Sequence, residues 1–290
     1  MEHWPDSFCC AFMRHRLQAQ AFCFRSGMFV KPSIVGLLAA LTLLYSCSQQ
    51  QTLTPPSVAT PSLQLPATQK GDQIIRRSGY TVSFSSTFIQ PRWSAYTLRG
   101  YQLEGAGVPR ADQFVPDPLA QPYSATNEDY NASGYDRGHL APAEDMSWSA
   151  QSMEESFYYS NISPQVPAFN RGVWKRLEEL VRYWATVYDS VYVVTGPVLQ
   201  PGLPVIGPHR VAVPQQFYKA VLVYNNKGRQ AVGFVLNNEA STATLKSFAV
   251  PVVAVEQLTG LQFFAALPAN AAGVKQTFNE RDWPWTRKRE

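Results

Sequence analysis

The run Tyr135-Asp136-Arg137-Gly138-His139-Leu140-Ala141-Pro142 places a carboxylate, a guanidinium and an imidazole within four positions. A neutral imidazole can take a proton from water near pH 7. Arginine offers phosphate oxygens a permanently charged planar fork, and the glycine allows close backbone approach. This is a setting for a base acting beside a phosphate, although DRGH alone fits a surface turn with a solvated histidine at least as well. Downstream, Asn161, Gln165, Asn170 and Glu178 interrupt the otherwise apolar stretch SFYYSNISPQVPAFNRGVWKRLEELV. On a helix, Asn170 and Glu178 stand about 80° apart around the axis and can border one pocket. Each also has an ordinary role open to it. Asn170 suits a helix N-cap, and Glu178 suits a solvated helix face, beside Glu179 and with Arg182 as its i+4 partner.

Other groups make weaker candidates. His209, in GPHRVAVP, has no surrounding acid and amide groups and reads as structural or surface. The pairs Glu144-Asp145 and Glu154-Glu155 are sequence neighbours that point apart, so they read as loop and helix-face charges. All four cysteines (Cys9, Cys10, Cys23 and Cys47) lie in the first fifth of the chain. The globular part therefore has no disulfide, thiolate metal site or cysteine nucleophile. The net charge of +4 is mildly basic, but up to Asp72 the chain holds five of the 25 basic and only three of the 21 acidic residues. What remains is nearly neutral, so a polyanion ligand must be argued from where charges sit. The ending RDWPWTRKRE mixes tryptophan with basic residues and reads as a terminus packed by its aromatics.

The elements that must position these residues form one α+β domain with a largely antiparallel sheet. YTVSFSS and SAYTLRGYQLEG alternate apolar and polar residues and predict strands or a hairpin. A Pro- and Asp-rich loop leads to DRGH, and SFYYSNI reads as a short apolar strand. From Asn170 to about Tyr188, Val173, Leu177, Leu180, Val181 and Trp184 recur at helical spacing and make one apolar stripe. VYVVT, residues 191–195, is a buried strand. FYKAVLVYN and QAVGFVLNN are strands about a turn at Asn225-Asn226-Lys227-Gly228. LKSFAVPVVAVEQLTG begins extended and ends helical.

The front of the chain reads as an address. Residues 34–44 (IVGLLAALTLL) follow Lys31 and are too short to span a bilayer comfortably, which takes about 20 residues. With Met28 as a natural beginning, residues 28–47 form a secretory signal and 1–27 an upstream extension. Leu44-Tyr45-Ser46-Cys47 resembles a bacterial lipobox, with Tyr45 a poor fit and Cys47 the expected lipidation site; a plain cleaved signal stays open. Residues 48–73, rich in Gln, Thr, Ser and Pro, predict a disordered tether. The folded domain is expected over 74–290.

The sequences DRGHLAPAEDM and SFYYSNISPQVPAFNRGVWKRLEE resemble the DNA/RNA non-specific endonuclease family, which has a ββα-metal active site and includes the mitochondrial endonuclease G type. Three blocks stand in order: D-R-G-H, S-N-I-S-P-Q, and N-x-G-x-W-x-x-L-E. PRWSAYTL, VAVPQQFYKAVL and VEQLTGLQFF extend the likeness to about Gly79–Leu267. The resemblance implies a ββα-metal fold and hydrolysis of DNA and RNA phosphodiester bonds. It implies His139 as the base that activates water and Asn170 as the direct ligand of Mg²⁺, with Mn²⁺ as the expected substitute. Glu178 would hold metal-bound waters, Arg137 and Arg110 would contact phosphate, and Asn161 and Gln165 would support the site.

The chemistry agrees with the likeness. Phosphodiester hydrolysis needs an activated water, charge neutralisation at phosphorus and help for a poor leaving group. Mg²⁺ retains much of its hydration, so one amide oxygen plus substrate can hold it. A site of this kind reads backbone and not bases, which predicts little sequence preference and salt-sensitive binding. The expected partners are nucleic acid and, through a lipid anchor, a membrane of the periplasm or cell surface; a homodimer stays open. Two rivals remain: a non-catalytic nucleic-acid-binding lipoprotein on the same fold, and a phosphodiesterase for small nucleotides.

Overall fold

The computed structural model describes residues 62–68, 71, 73–105 and 107–286. The expected upstream extension, the export signal, Cys47 and the first part of the tether lie outside the described residues. Ser62–Thr68, inside the stretch expected as a tether, is packed: Leu65 lies against the core and Ala67 N–H donates to the Gln262 carbonyl (2.9 Å). Leu63, Leu65 and Pro66 give this short piece its apolar surface.

The strands in chain order are β1 Gln73–Arg76, β2 Thr81–Ser85, β3 Gln90–Arg99, β4 Asp136–His139, β5 Ile162–Gln165, β6 Ser190–Pro197, β7 Val205–Ile206, β8 Val211–Ala212, β9 Gln216–Asn225, β10 Gly228–Asn237 and β11 Ala249–Val250. The α-helices are α1 Asn127–Tyr130, α2 Ala150–Ser156, α3 Lys175–Val187 and α4 Val252–Thr259. Among the described residues, seven strands form one sheet in the order β1-β2-β3-β6-β9-β10-β11, and every pairing in it is antiparallel. The α+β class with a large antiparallel sheet is therefore as expected.

Both faces of the sheet are covered, which suits the near-continuous burial of β6 and β9. One face packs under α3 through Leu177, Val181 and Trp184, and the other under α4 through Val252 and Val255. The predicted stripe of α3 is buried as read. The terminal aromatics also pack, since Trp283 lies 4.2 Å from Trp184 between ring centroids and the Trp184 indole N–H donates to the Pro284 carbonyl.

Several local expectations are corrected. SAYTLRGYQLEG is strand only to Arg99; residues 100–103 turn as a 3-10 helix whose entry is fixed by Gln102 accepting from Arg99 N–H. SFYYSNI is not a strand. It runs from the end of α2, which Ser149 caps, through a 3-10 turn at Tyr159–Asn161, and the strand follows at Ile162. The helix expected from Asn170 begins only at Lys175, because Phe169–Trp174 is a wide turn with non-helical backbone at Gly172. Residues 245–248 of LKSFAVPVVAVEQLTG form a 3-10 turn before the short β11 and α4.

Candidate active site

Strands β4 and β5 pair antiparallel outside the main sheet, with Gly138 opposite Ser163 and His139 opposite Ile162. Gly138 is required by packing. A Cβ there would stand 2.2 Å from the Gln165 side chain, which crosses directly over it. The glycine thus lets the chain run close enough to β5 to aim the next residue, His139, out of the pair.

The His139 ring lies between Phe157 (centroids 4.7 Å, 80°) and Phe114 (5.4 Å, 50°), and its Nε2 is buried without a hydrogen-bond partner. Burial, and then the positive charge of Arg110, lower its pKa to about 3. The imidazole is therefore neutral throughout the physiological range. Arg110 sits over Phe157 (5.1 Å) and bonds Glu144 (2.9 Å), with both side chains about half exposed. Arg137 is held more firmly: Nε donates to the Tyr159 hydroxyl (2.8 Å) and Nη2 to Asn131 Oδ1 (3.1 Å), while the guanidinium lies near the rings of Tyr130 and Phe114.

Asn170 does not cap a helix. Its Nδ2 donates to Asp136 Oδ2 (2.9 Å), and Arg171 clamps the same carboxylate through Nε (2.8 Å) and Nη2 (2.6 Å). Burial alone would raise the Asp136 carboxyl, but these hydrogen bonds outweigh it and hold the group below the usual carboxylate range. With the amide nitrogen committed to Asp136, the Asn170 amide oxygen is the atom left for a ligand. Glu178, in the first turn of α3, is half-buried, and burial raises its carboxyl well above the usual range. Burial likewise lowers the ammonium of Lys219 on β9.

Arg110, Arg137, His139, Asn170 and Glu178 line one cavity of about 560 Å³, together with Glu144, Arg171, Lys175, Glu179 and Arg182. Five cations against three acids make it locally basic, although the domain is nearly neutral. A second cavity of about 620 Å³ shares Glu144, Glu179 and Arg182 with it and continues past Arg176 and Tyr183 toward Trp285.

Two candidates lie beneath the cavity and not in it. Asn161 is fully buried with its hydrogen bonds satisfied: Oδ1 accepts from Ser94 and Ala141 N–H, and Nδ2 donates to the Ala141 and Ser156 carbonyls. It ties the end of β4 to β3 and α2. Gln165 is fully buried with neither amide atom partnered. His209 is structural, its Nδ1 lying 2.9 Å from Asp129 Oδ2. Asp145, read as a loop charge, is buried against Arg182 (2.8 Å) and the Tyr96 hydroxyl (2.8 Å). From sequence Asp136 was read only as a neighbour of the base, Asp145 as a loop charge and Arg182 as a helix-face partner of Glu178, and Lys219 was missed. Arg182 had a usable signal, since it follows Glu178 by one helical turn, and a lysine amid the apolar FYKAVLVYN was another.

Comparison with known proteins agrees with this geometry. Residues 59–270 match the family model described as DNA/RNA non-specific endonuclease. The chain is 34% identical over 217 residues to the mitochondrial endonuclease G of Homo sapiens, covering 70% of this chain and 73% of that protein. It is 35% identical over 246 residues to the mitochondrial nuclease EXOG of Danio rerio, covering 79% and 71%. A solved structure of an EndoG/EndoGI complex, described as showing the mechanism of EndoG inhibition, superposes with a TM-score of 0.66 at 32% identity, over 72% of this chain and 94% of that one. The match spans the cavity and the whole sheet that carries it: this chain belongs to the DNA/RNA non-specific endonuclease family and is a nuclease.

Proposed function

We propose that the chain is a Mg²⁺-dependent endonuclease that cuts DNA and RNA without reading base or sugar, with His139 taking the proton from the attacking water. The observation that carries this reading is that His139 and Asn170 line one basic cavity, with the Asn170 amide nitrogen held by Asp136 so that its oxygen is the atom left for a cation. Since Nε2 is buried, Nδ1 is the ring nitrogen that can meet cavity water.

The donor set fits the metal. Among the described residues no cluster of three or more His, Cys, Asp or Glu could cage an ion, whereas one amide oxygen with a nearby carboxylate suits a hard cation that keeps most of its waters. Asn170 would hold it directly and Glu178 through water, and Mn²⁺ should substitute. Bound there, the ion would supply positive charge to offset that of the phosphate and the departing oxygen. His139 accepts the water's proton as the water oxygen bonds to phosphorus. The P–O3′ bond then breaks and the departing oxygen takes a proton from solvent water, leaving a 5′-phosphate and a 3′-hydroxyl. Arg137, fixed by Tyr159 and Asn131, and Arg110 contact the phosphate oxygens.

The second cavity continuing from the first favours a polymer over a small nucleotide. The reading is tested by nicking of supercoiled plasmid with Mg²⁺ or EDTA, beside a His139→Ala variant. The expected result is metal-dependent nicking that falls by roughly 10²–10⁴-fold in the variant. Intact plasmid with tight, salt-sensitive binding would favour a binding module, and full activity in the variant would remove His139 from its role. We also infer that the enzyme is exported and lipid-anchored at Cys47, a reading supported by the residues before that cysteine. Incorporation of labelled palmitate that persists in Cys47→Ser would overturn it.

A further inference from the structure

Helix α1, Asn127–Tyr130, is a single turn between a long irregular segment and the turn before β4. One helical turn does not hold its own shape in water, so α1 sits where its neighbours grip it. Asn127, Tyr130 and Asn131 share one face at i, i+3 and i+4 spacing, and that face cradles Arg137. Arg137 Nη2 donates to the Asn127 carbonyl (3.3 Å) and to Asn131 Oδ1 (3.1 Å). Its Nε donates to the Tyr159 hydroxyl (2.8 Å), which itself donates to Asn127 Oδ1 (2.8 Å). Tyr130 stacks on Tyr159 (centroids 5.4 Å) and lies 5.5 Å from the guanidinium.

Asp129 leaves the opposite side of α1 and is buried. A buried carboxylate is costly unless its oxygens find donors. Here Oδ1 accepts from the His209 backbone N–H (2.8 Å), while Oδ2 accepts from Thr126 N–H (2.8 Å) and meets His209 Nδ1 at 2.9 Å. A carboxylate can only accept, so Nδ1 carries the proton of that bond. His209 stands in the turn between β7 and β8. Gly207, in the same turn at φ +67°, presses on α1, and a Cβ there would lie 2.2 Å from Asp129 Cα. The β7–β8 hairpin is itself tied to the entry of β3. Ala212 N–H donates to the Phe88 carbonyl (3.1 Å), and the Ala212 carbonyl accepts from Gln90 Nε2 (2.6 Å). A line of hydrogen-bonded contacts therefore runs from the main sheet through His209 and Asp129 to the turn that holds Arg137.

We propose that His209 is a positioning residue for Arg137: by gripping Asp129 it fixes the one-turn helix whose other face holds the guanidinium at the catalytic cavity. The inference rests on the reading of Arg137 as a phosphate contact for its effect on rate. It rests on the hydrogen bonds alone for its effect on the guanidinium itself. Tyr123 packs against the His209 ring (centroids 5.1 Å). His209→Phe keeps an aromatic ring there and removes only the donor to Oδ2, since the backbone N–H stays. His209→Asn offers an amide N–H near the place of Nδ1.

The test uses the full chain with His209→Phe, His209→Asn, Arg137→Met, and His209→Phe combined with Arg137→Met. It reads kcat/KM for plasmid nicking in Mg²⁺ and, separately, the rate at which the Arg137 Nε–H exchanges with water, followed by NMR. His209→Phe should lower kcat/KM roughly tenfold and speed that exchange by a similar factor, the scale of one lost hydrogen bond to a charged group. His209→Asn should recover most of both. The double variant should be no slower than Arg137→Met alone. Multiplying rate losses, wild-type kcat/KM or wild-type exchange in His209→Phe, or no recovery in His209→Asn would overturn the proposal. If His209→Phe does not fold, His209→Ala takes its place in the cycle under the same outcomes. A wild-type chain that does not cut would sink the nuclease reading, and full activity in Arg137→Met would remove Arg137 from the phosphate. In either case the exchange rate still decides whether His209 positions the guanidinium.

Discussion

The β9–β10 and β4–β5 ribbons are both antiparallel pairs, yet they are built on opposite terms. The β9–β10 pair runs ten residues on each side, in register from Asn225↔Gly228 to Gln216↔Asn237, about a two-residue turn. Its middle is buried and apolar on both faces, with Lys219 as the exception. The β4–β5 pair is four residues on each side and joins segments separated by a turn, α2 and a second turn. It keeps a glycine whose Cβ would run into the Gln165 side chain, a histidine with a buried unpartnered nitrogen, and a glutamine with two such atoms. Buried polar groups without partners are uncommon and costly. Their concentration in the short ribbon, and of one unpaired cation in the long one, marks where local consistency yields to chemistry.

The contrast can be tested by variants that should separate stability from activity. Leu222→Ala in β9 empties a fully buried site facing the α4 core and should destabilise the protein by about 2–5 kcal/mol. Nicking per folded molecule should stay at the wild-type level, as urea unfolding and kinetics together would reveal; a fall in kcat would mean that the long ribbon also sets the site. Asp136→Ala in β4 frees the Asn170 amide, and the Mg²⁺ concentration for half-maximal nicking should rise about 10–100-fold. An unchanged metal titration would dismiss Asp136 as the orienting group.

A smaller effect concerns pH. The folded His139 pKa of about 3 lies below its ordinary 6.5. Between those values the unfolded chain binds a proton that the native chain does not, so stability falls as pH drops through that window. The slope is about 1.4 kcal/mol per pH unit. His139→Asn should remove it, seen as a shallower decline in unfolding free energy between pH 6.5 and pH 4.5; equal slopes would show that the ring is not buried in neutral form. Least of all, Lys227→Ala at the β9–β10 turn breaks an exposed pair with Asp189 (2.8 Å) and should move neither Tm nor nicking measurably.

What could be read from sequence followed periodicity and local turn chemistry. The α3 stripe carries an unbroken helical period, while β6 is a short apolar run and the β9–β10 hairpin two apolar runs about a turn signal, so their type was legible. SFYYSNI was misread because an aromatic run carries no period when it spans a helix end, a 3-10 turn and a strand start. The start of α3 was misplaced because the backbone departs from the helix at Gly172, where the side-chain pattern continues unchanged. DRGH, Asn170 and Glu178 were legible as a set through family likeness. Asp145 and Lys219 were not, since their partners lie far along the chain: Arg182 is 37 residues from Asp145 and Thr195 is 24 from Lys219.

The chain leaves the main sheet at Arg99 and rejoins it at Ser190, which face each other in the β3–β6 register, and Gly100 N–H donates to the Asp189 carbonyl (2.7 Å) just beyond. Every cavity-lining residue from Arg110 to Arg182 lies between these two points. The segment is thus a closed cassette, whose exit and entry are already stitched together by neighbouring strands. Such a cassette can diverge in sequence or length without disturbing the register of the sheet beneath. It could also be exchanged between related chains as one graft, provided the recipient sheet offers Lys219, which meets Trp174 of the graft, and its partner Thr195.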